Sequence, residues 1–453
     1  MRSNLVMVIV LGIGLGRFAA MGPAWAGDLR VGASAVEVEA DDTMPIAGGI
    51  HGGQSKGQEG KLRATAVVVE KPGSSLVAIV SCDVLFVTRD FVDPALAEIE
   101  KGCGIPASHV LVHATHTHHA PSCAPVHAYG RCDVFVDRLK RAIVQSVLEA
   151  RSQMAEASFA FAMGREATVG MNSRLQLKDG TIYWVGPRDD AVGPTGPFDP
   201  DLPVLVFRGP NGKLRAMLFG HSSHTIGALT PGARSPAFYG LAAQEIETEL
   251  GGKVAFLQGA SGSTHVYNMD AREAFRRIKQ AVLETLAQAG PREVGRVESL
   301  KRPFQFKVRT FDEAAEEKAV VDYCLKRIGP QHGESVAKVF RDMRKELAPH
   351  QGQQRTTWIQ AMVIGDVALV GVPAEFFTKL GIDIKQRSPF KHTVVAELSN
   401  DWIGYLPDRE AHKLGGYQVW TGFHSYAEPG TGERMVDEVV AMLKELASRN
   451  GPR

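Results

Sequence analysis

The sequence predicts an α/β protein: a single large domain with mixed β-sheet, flanking helices and an active site at strand carboxyl ends. Three observations predict it. Apolar, strand-like runs alternate with amphipathic helical stretches along the whole chain. Glycine is abundant, 47 of 453 residues, as a fold rich in tight turns and close backbone approaches requires. No internal repeat, low-complexity tract or long linker interrupts the series. Gly186–Pro203, the best candidate boundary, reads equally well as a surface loop.

The elements follow in order. Arg63–Lys71 and Ser75–Leu85 read as neighbouring strands joined at Pro72-Gly73, because both are runs of β-branched and apolar residues around a turn dipeptide. Asp90–Lys101 reads as a helix and His109–Thr115 as a strand. Val134–Met154 carries apolar residues at helical spacing with charges on its other face. A strand is expected at Lys213–Phe219, a helix at Leu241–Leu250, a strand at Val254–Gln258 and a helix at Ala274–Gln288. Glu316–His350 is charged and helical, with a break at Gly329-Pro330. Gln360–Gly371 predicts a hairpin turning at Gly365-Asp366, Thr393–Leu398 a strand and Val436–Ser448 a closing helix.

Composition excludes several classes. A net charge of +1 encodes no bulk attraction to nucleic acid, and 44% hydrophobic with 22% charged residues excludes a largely disordered chain. The N-terminus reads as a signal peptide over residues 1–26: Arg2, the apolar run Leu5–Leu15, then Ala24-Trp25-Ala26 as a small-x-small cleavage site. The run is short for a membrane span, which is the alternative reading. Export to a periplasm or beyond follows, with residues 27–453 as the mature domain. Five cysteines, Cys82, Cys103, Cys123, Cys132 and Cys324, leave at least one unpaired; Cys123 and Cys132 flank a loop that a disulfide could close in such a compartment, and five buried thiols is the other reading.

The chemistry concentrates at His109–His119, which holds five of the 15 histidines. The segment HVLVHATHTHHAPS ends an apolar strand. Alternation along an extended chain would turn His116 and His118 to one side, and Thr117 and His119 to the other. Further donors follow other strands: His221 and His224 in FGHSSH, Glu375 in VPAEFF, and Asn400, Asp401 and Tyr405 in SNDWIGYLPD. Carboxyl ends of strands converge on one rim in α/β sheets. Two neutral imidazoles and a carboxylate make a common catalytic zinc set, although manganese and iron use the same ligands.

These segments carry a resemblance. The chain resembles the catalytic domain of neutral (non-lysosomal) ceramidases, zinc hydrolases that cleave the amide bond of ceramide. THTHHAP stands for the family's THTHSGP, VPAEFFT for VPGEFTT, and SNDWIGYLPDREAHKLGGYQ for its tyrosine-rich SNxYxxY block, in order with the GH and SPAFYG segments. The resemblance implies Zn2+ held by His116, His221, Glu375 and Tyr405. It implies His118 as a non-ligand that binds substrate or carries a proton, Arg174 of MNSR approaching the substrate carbonyl, and Tyr417 as a second active-site tyrosine. The expected reaction is attack of metal-activated water on an amide such as N-acylsphingosine, with Tyr417 and Arg174 donating to the oxyanion. The substrate is then a small-molecule or lipid amide, with peripheral contact to a membrane as a further expectation.

Three departures from the family stand out. His119-Ala120 stands for the family's Ser-Gly after HTH, GSTHVYN (Gly262–Asn268) replaces GDVSPN, and no counterpart of the family's small C-terminal β-sandwich domain is read in this sequence. Another amide, an ester or a lactone, or a non-catalytic exported ligand-binding protein, are the alternative functions.

Overall fold

The computed structural model describes residues 29–449, so the expected signal peptide lies outside the described residues. The chain passes three times through one order of elements. In the first pass strand Arg30–Glu37 pairs antiparallel with Arg63–Glu70, which forms a hairpin with Leu76–Cys82. Helix Arg89–Cys103 then crosses over, strand Val110–Ala114 returns parallel to Leu76–Cys82, and helix Asp133–Ser152 follows.

The second pass uses strands Ser158–Arg165, Asp201–Arg208 and Leu214–His221, helix Ala237–Leu250, the parallel strand Lys253–Gln258 and helix Ala271–Ala287. The third uses Val297–Lys307, Gln354–Ile364 and Val367–Gly371, helix Thr378–Arg387, the parallel strand His392–Ala396 and helix Thr431–Ser448. The sequence shows no repeat because the three passes share topology, not residues. A mixed α/β architecture in one large domain is what the alternating pattern predicted, with the sheet divided into three.

The three sheets face one another across a common core and are each backed by their own helices. Strand alternation sorts the side chains. Val67, Val69, Val77, Ile79 and Leu111 of the first sheet meet Leu205, Phe207, Leu218 and Leu257 of the second and Met362, Leu369 and Val394 of the third. The intervening residues point outward: Ala66, Val68, Val80 and Val112 to helices of the first pass, Val204, Phe219 and Phe256 to those of the second, and Ala361, Val370 and Val395 to those of the third. The central strands, such as Arg63–Glu70, Leu76–Cys82 and Leu214–His221, are buried on both faces, so they read as continuous apolar runs.

The connection between the first and second strands of each pass grows long and covers one end of the molecule. The third contains helices Glu313–Arg327 and Pro330–Leu347, on either side of the predicted break. Ile50 from the first connection, Trp184 from the second and Phe340 from the third pack together with Tyr417 and Trp420. All five cysteines are free thiols. Among the described residues no helix is long and apolar enough to cross a membrane.

Candidate active site

The carboxyl ends of the parallel strands converge beneath this cover. After strand Val110–Ala114 the chain does not stay extended: His116 has φ of 62°, a left-handed conformation costly for a residue with a Cβ. That turn, not strand alternation, aims the ring inward. His116 Nε2 lies 3.3 Å from His118 Nε2. Thr117 faces away, donating to the Ser235 carbonyl, and His119 accepts from Gly227 N–H through Nε2. His109 and His113 hold the strand in place, against the Leu76 carbonyl and the Gln258 N–H. Two of the five clustered histidines therefore reach the site.

The second pass contributes His224. Its ring lies 4.5 Å from that of His116, and the ligand nitrogens of His116, His118 and His224 all fall within 4.8 Å of one another. The expected ligand His221 is not brought to this group. The strand expected to stop at Phe219 continues to His221, so alternation places His221 on the same outer face as Phe219. There both ring nitrogens are engaged, with the Tyr239 hydroxyl at 2.5 Å and the Glu166 carbonyl at 2.8 Å.

The third pass supplies the carboxylate. Glu375 Oε2 is 3.5 Å from His116 Nε2 and 3.4 Å from His224 Nε2, while Oε1 accepts from Trp402 Nε1. Strand Glu375–Phe376 pairs parallel with Tyr405–Leu406, in a register that sets Tyr405 beside Glu375. The Tyr405 hydroxyl lies 3.2 Å from His224 Nε2. Burial works to raise the Glu375 pKa, but hydrogen bonds and charge from His116 and His224 outweigh it and hold the group well below the usual carboxylate range. Burial, then the facing imidazoles, holds His118 and His224 low. Burial raises the Tyr405 and Tyr417 phenols, and Glu375 adds to this.

The histidine tautomers test whether these residues fit a metal ion. His116 Nδ1 meets the Leu85 carbonyl at 2.8 Å, His224 Nδ1 the Ser261 carbonyl at 2.9 Å and His118 Nδ1 the Gly48 carbonyl at 3.1 Å. A carbonyl only accepts, so each Nδ1 carries a proton and each Nε2 is the nitrogen turned to the site, able to offer a lone pair to an ion that displaces its proton. Imidazoles whose Nε2 atoms face one another, each anchored from behind by a carbonyl, with two of them against one carboxylate, have the outer support that metal-bound histidines have. The donor set fits a divalent cation such as zinc.

Sequence reasoning missed Glu397, whose carboxyl joins the second and third passes. It accepts from Ser261 N–H at 3.0 Å, from the Ser261 hydroxyl at 2.5 Å and from Phe376 N–H at 2.7 Å. It therefore fixes both the carbonyl that orients His224 and the residue next to Glu375. The available signal was an acid ending the apolar run TVVAE. Asn400 and Asp401 are joints instead: Asn400 bonds Val112 and Gln360, and Asp401 bonds Arg89 and Thr357.

Arg174 also departs from expectation. It is fully buried, and its guanidinium donates to Gln418 Oε1 and to the carbonyls of Ala411 and Gly415. It fastens the segment bearing Tyr417 and does not stand among the histidines. Tyr417 itself is sandwiched between Trp184, at 4.4 Å and 3°, and His424, at 4.9 Å and 22°. Its ring lies 5.8 Å from that of Tyr405.

The segment that departs from the family builds one wall. Thr264–His265 pairs with Met171–Asn172, Thr264 donates to the Ser222 carbonyl, and the His265 ring stacks on His224 at 4.1 Å. Gly262 is required here, since a Cβ at this position would stand 2.4 Å from the Glu375 carbonyl oxygen. Gly262→Ala is expected to displace Glu375 and weaken divalent-ion affinity roughly tenfold or more. Competition against a chromophoric chelator measures this; wild-type affinity would mean the Glu375 backbone yields without consequence.

No protein-family model and no curated protein sequence matches the chain. Its structure is similar to the crystal structure of neutral ceramidase from Pseudomonas aeruginosa, with a TM-score of 0.71 at 19% identity over 92% of this chain and 75% of that one. A ceramidase complexed with C2 gives 0.72 at 19% identity over 93% of this chain and 75% of that one. The chain has the fold of these neutral ceramidase structures.

Proposed function

We propose that the protein is an exported, metal-dependent hydrolase that cleaves an N-acyl amide, of which N-acylsphingosine is an example. The observation that carries this reading is the convergence of three outward-anchored imidazoles, His116, His118 and His224, with the Glu375 carboxylate against two of them. His116, His224 and Glu375 would hold the ion, with the Tyr405 hydroxyl beside His224. A zinc ion held there would supply Lewis acidity toward a carbonyl and lower the pKa of water toward about 7.

The residues around it divide the remaining work. His118 alone of the three histidines is partly exposed, so it is the one able to exchange a proton at Nε2 with substrate and solvent. Tyr417 presents its hydroxyl from a ring held on both faces, and Arg174 holds the segment that carries it. Trp184, Ile50 and Trp420 give the cover an apolar lining that excludes water and suits an aliphatic acyl chain. The ceramidase structures of the same fold favour a lipid amide over an ester or lactone. Ordered packing of the Gly262–His265 segment against His224 speaks against a decayed, non-catalytic scaffold.

Metal analysis of the purified full chain is expected to find one divalent ion per molecule. Chelation should remove fatty-acid release from N-acyl amides, and zinc should restore it. Full turnover by protein shown to be metal-free would overturn the proposal.

A further inference from the structure

The loop APVHAYGR holds a histidine that the mechanism above does not use. His127 Nδ1 lies 3.1 Å from the Gly49 carbonyl and Nε2 lies 3.4 Å from the Tyr417 hydroxyl. The adjacent carbonyls of Gly48 and Gly49 thus orient His118 and His127, and Tyr129 steadies them by accepting from Gly48 N–H at 3.0 Å. A carbonyl accepts, so Nδ1 of His127 carries the proton, and Nε2 offers only a lone pair. Burial pulls the His127 pKa down to about 4, which leaves the ring neutral at pH 7. A phenol has one proton. The hydrogen bond to Nε2 engages it, and only oxygen lone pairs of Tyr417 remain for a bound substrate.

We infer that His127 is a positioning residue that turns the Tyr417 hydroxyl into a hydrogen-bond acceptor, so that the site selects substrates carrying an N–H at the scissile bond: secondary amides, not esters. His424 completes the arrangement. Its Nε2 meets the Tyr417 carbonyl at 3.1 Å and its ring covers one face of the phenol. The phenol therefore cannot swing away from His127 without breaking a two-sided stack. The inference rests on the reading of the site as an amide hydrolase, and it reverses the donor role that the resemblance implied for Tyr417.

Two measurements on the full-length metal-loaded protein test it. The first compares kcat/KM for the N-hexyl amide and the hexyl ester of dodecanoic acid in wild type, His127→Phe and His127→Gln. Phenylalanine removes the acceptor; glutamine retains one at the end of its side chain. His127→Phe is expected to lower the amide-to-ester ratio about tenfold, chiefly through amide kcat, with metal content unchanged. His127→Gln should recover most of the ratio. An unchanged ratio in His127→Phe, or equal losses in both variants in step with lost metal, would overturn the inference.

The second measurement needs no turnover. Long-range proton–nitrogen spectra of histidine-labelled protein, assigned by the signal missing in His127→Gln, should show His127 protonated at Nδ1 and bare at Nε2. A proton on Nε2 overturns the inference whatever the kinetics. If wild type hydrolyses neither substrate, the functional reading fails while the tautomer still decides the His127–Tyr417 pairing.

Discussion

His224→Ala is expected to abolish metal binding and hydrolysis, whereas His221→Ala is expected to retain the ion and lower stability. The two residues lie three positions apart and both are buried, so burial does not separate them. Their hydrogen bonds do. His224 spends Nδ1 on the Ser261 carbonyl and leaves Nε2 facing Glu375. His221 spends both nitrogens, one on Tyr239 and one on Glu166.

Removing His224 takes one imidazole from the proposed donor set and leaves His116 as the one imidazole against Glu375. The expected loss in kcat/KM is on the order of 10³-fold or more, because the chemistry that the ion supplies is worth several kcal/mol. Removing His221 leaves the Tyr239 hydroxyl without its partner in a closed interior, at a cost of roughly 1–3 kcal/mol for the stranded group plus the cavity. Metal analysis, kcat/KM and urea melts of the two variants give opposite patterns. A His221→Ala protein lacking metal but normally folded would return His221 to the donor set.

That pair also shows what could be read without coordinates. The periodic signals placed most elements within a few residues, from the Arg63–Cys82 hairpin to the closing helix. Strands Arg30–Glu37, Ser158–Arg165, Asp201–Arg208 and Val297–Lys307 were not anticipated. Three of them mix small, polar or half-exposed residues, while Asp201–Arg208 is an apolar run hidden by the Pro-rich stretch before it. The threefold order was illegible for a different reason: it lives in pairing direction and crossover, which no single run of residues encodes.

At the site, His116, His118, Glu375, Tyr405 and Tyr417 were legible because each follows a strand or lies in a motif. Choosing between His221 and His224 depended on the end of one strand: running two residues beyond Phe219, it keeps His221 on the outer face with Phe219, and only His224, past the strand end, turns to the site. Arg174 was legible as a buried neighbour of the Tyr417 segment only once Ala411–Gln418 folded onto it. His127 and Glu397 act through partners 290 and 136 positions away, Tyr417 and Ser261, and sequence spacing carries no trace of such contacts.

Glu397→Ala is expected to damage the proposed metal centre although the residue touches none of the candidate donor atoms. Its carboxyl receives three hydrogen bonds, and two of the donors belong to Ser261, the third to Phe376. The Ser261 carbonyl orients His224, and Phe376 follows Glu375 directly. One deletion therefore loosens the second and third passes at the point where each delivers a ligand. Outer partners of metal ligands typically cost 10–100-fold in affinity when removed, and a loss of about that size is expected here. Two buried N–H groups and a hydroxyl would also lose their acceptor, so a fall in stability of roughly 2–4 kcal/mol accompanies it. Glu397→Gln separates the two contributions. Its carbonyl oxygen can still accept from both N–H groups, and its amide can donate to the Ser261 hydroxyl, which rotates to accept. Affinity within about threefold of wild type is then expected for glutamine and not for alanine. Equal zinc affinity in wild type and Glu397→Ala, measured on folded protein, would show that His224 and Glu375 hold their positions without this bridge.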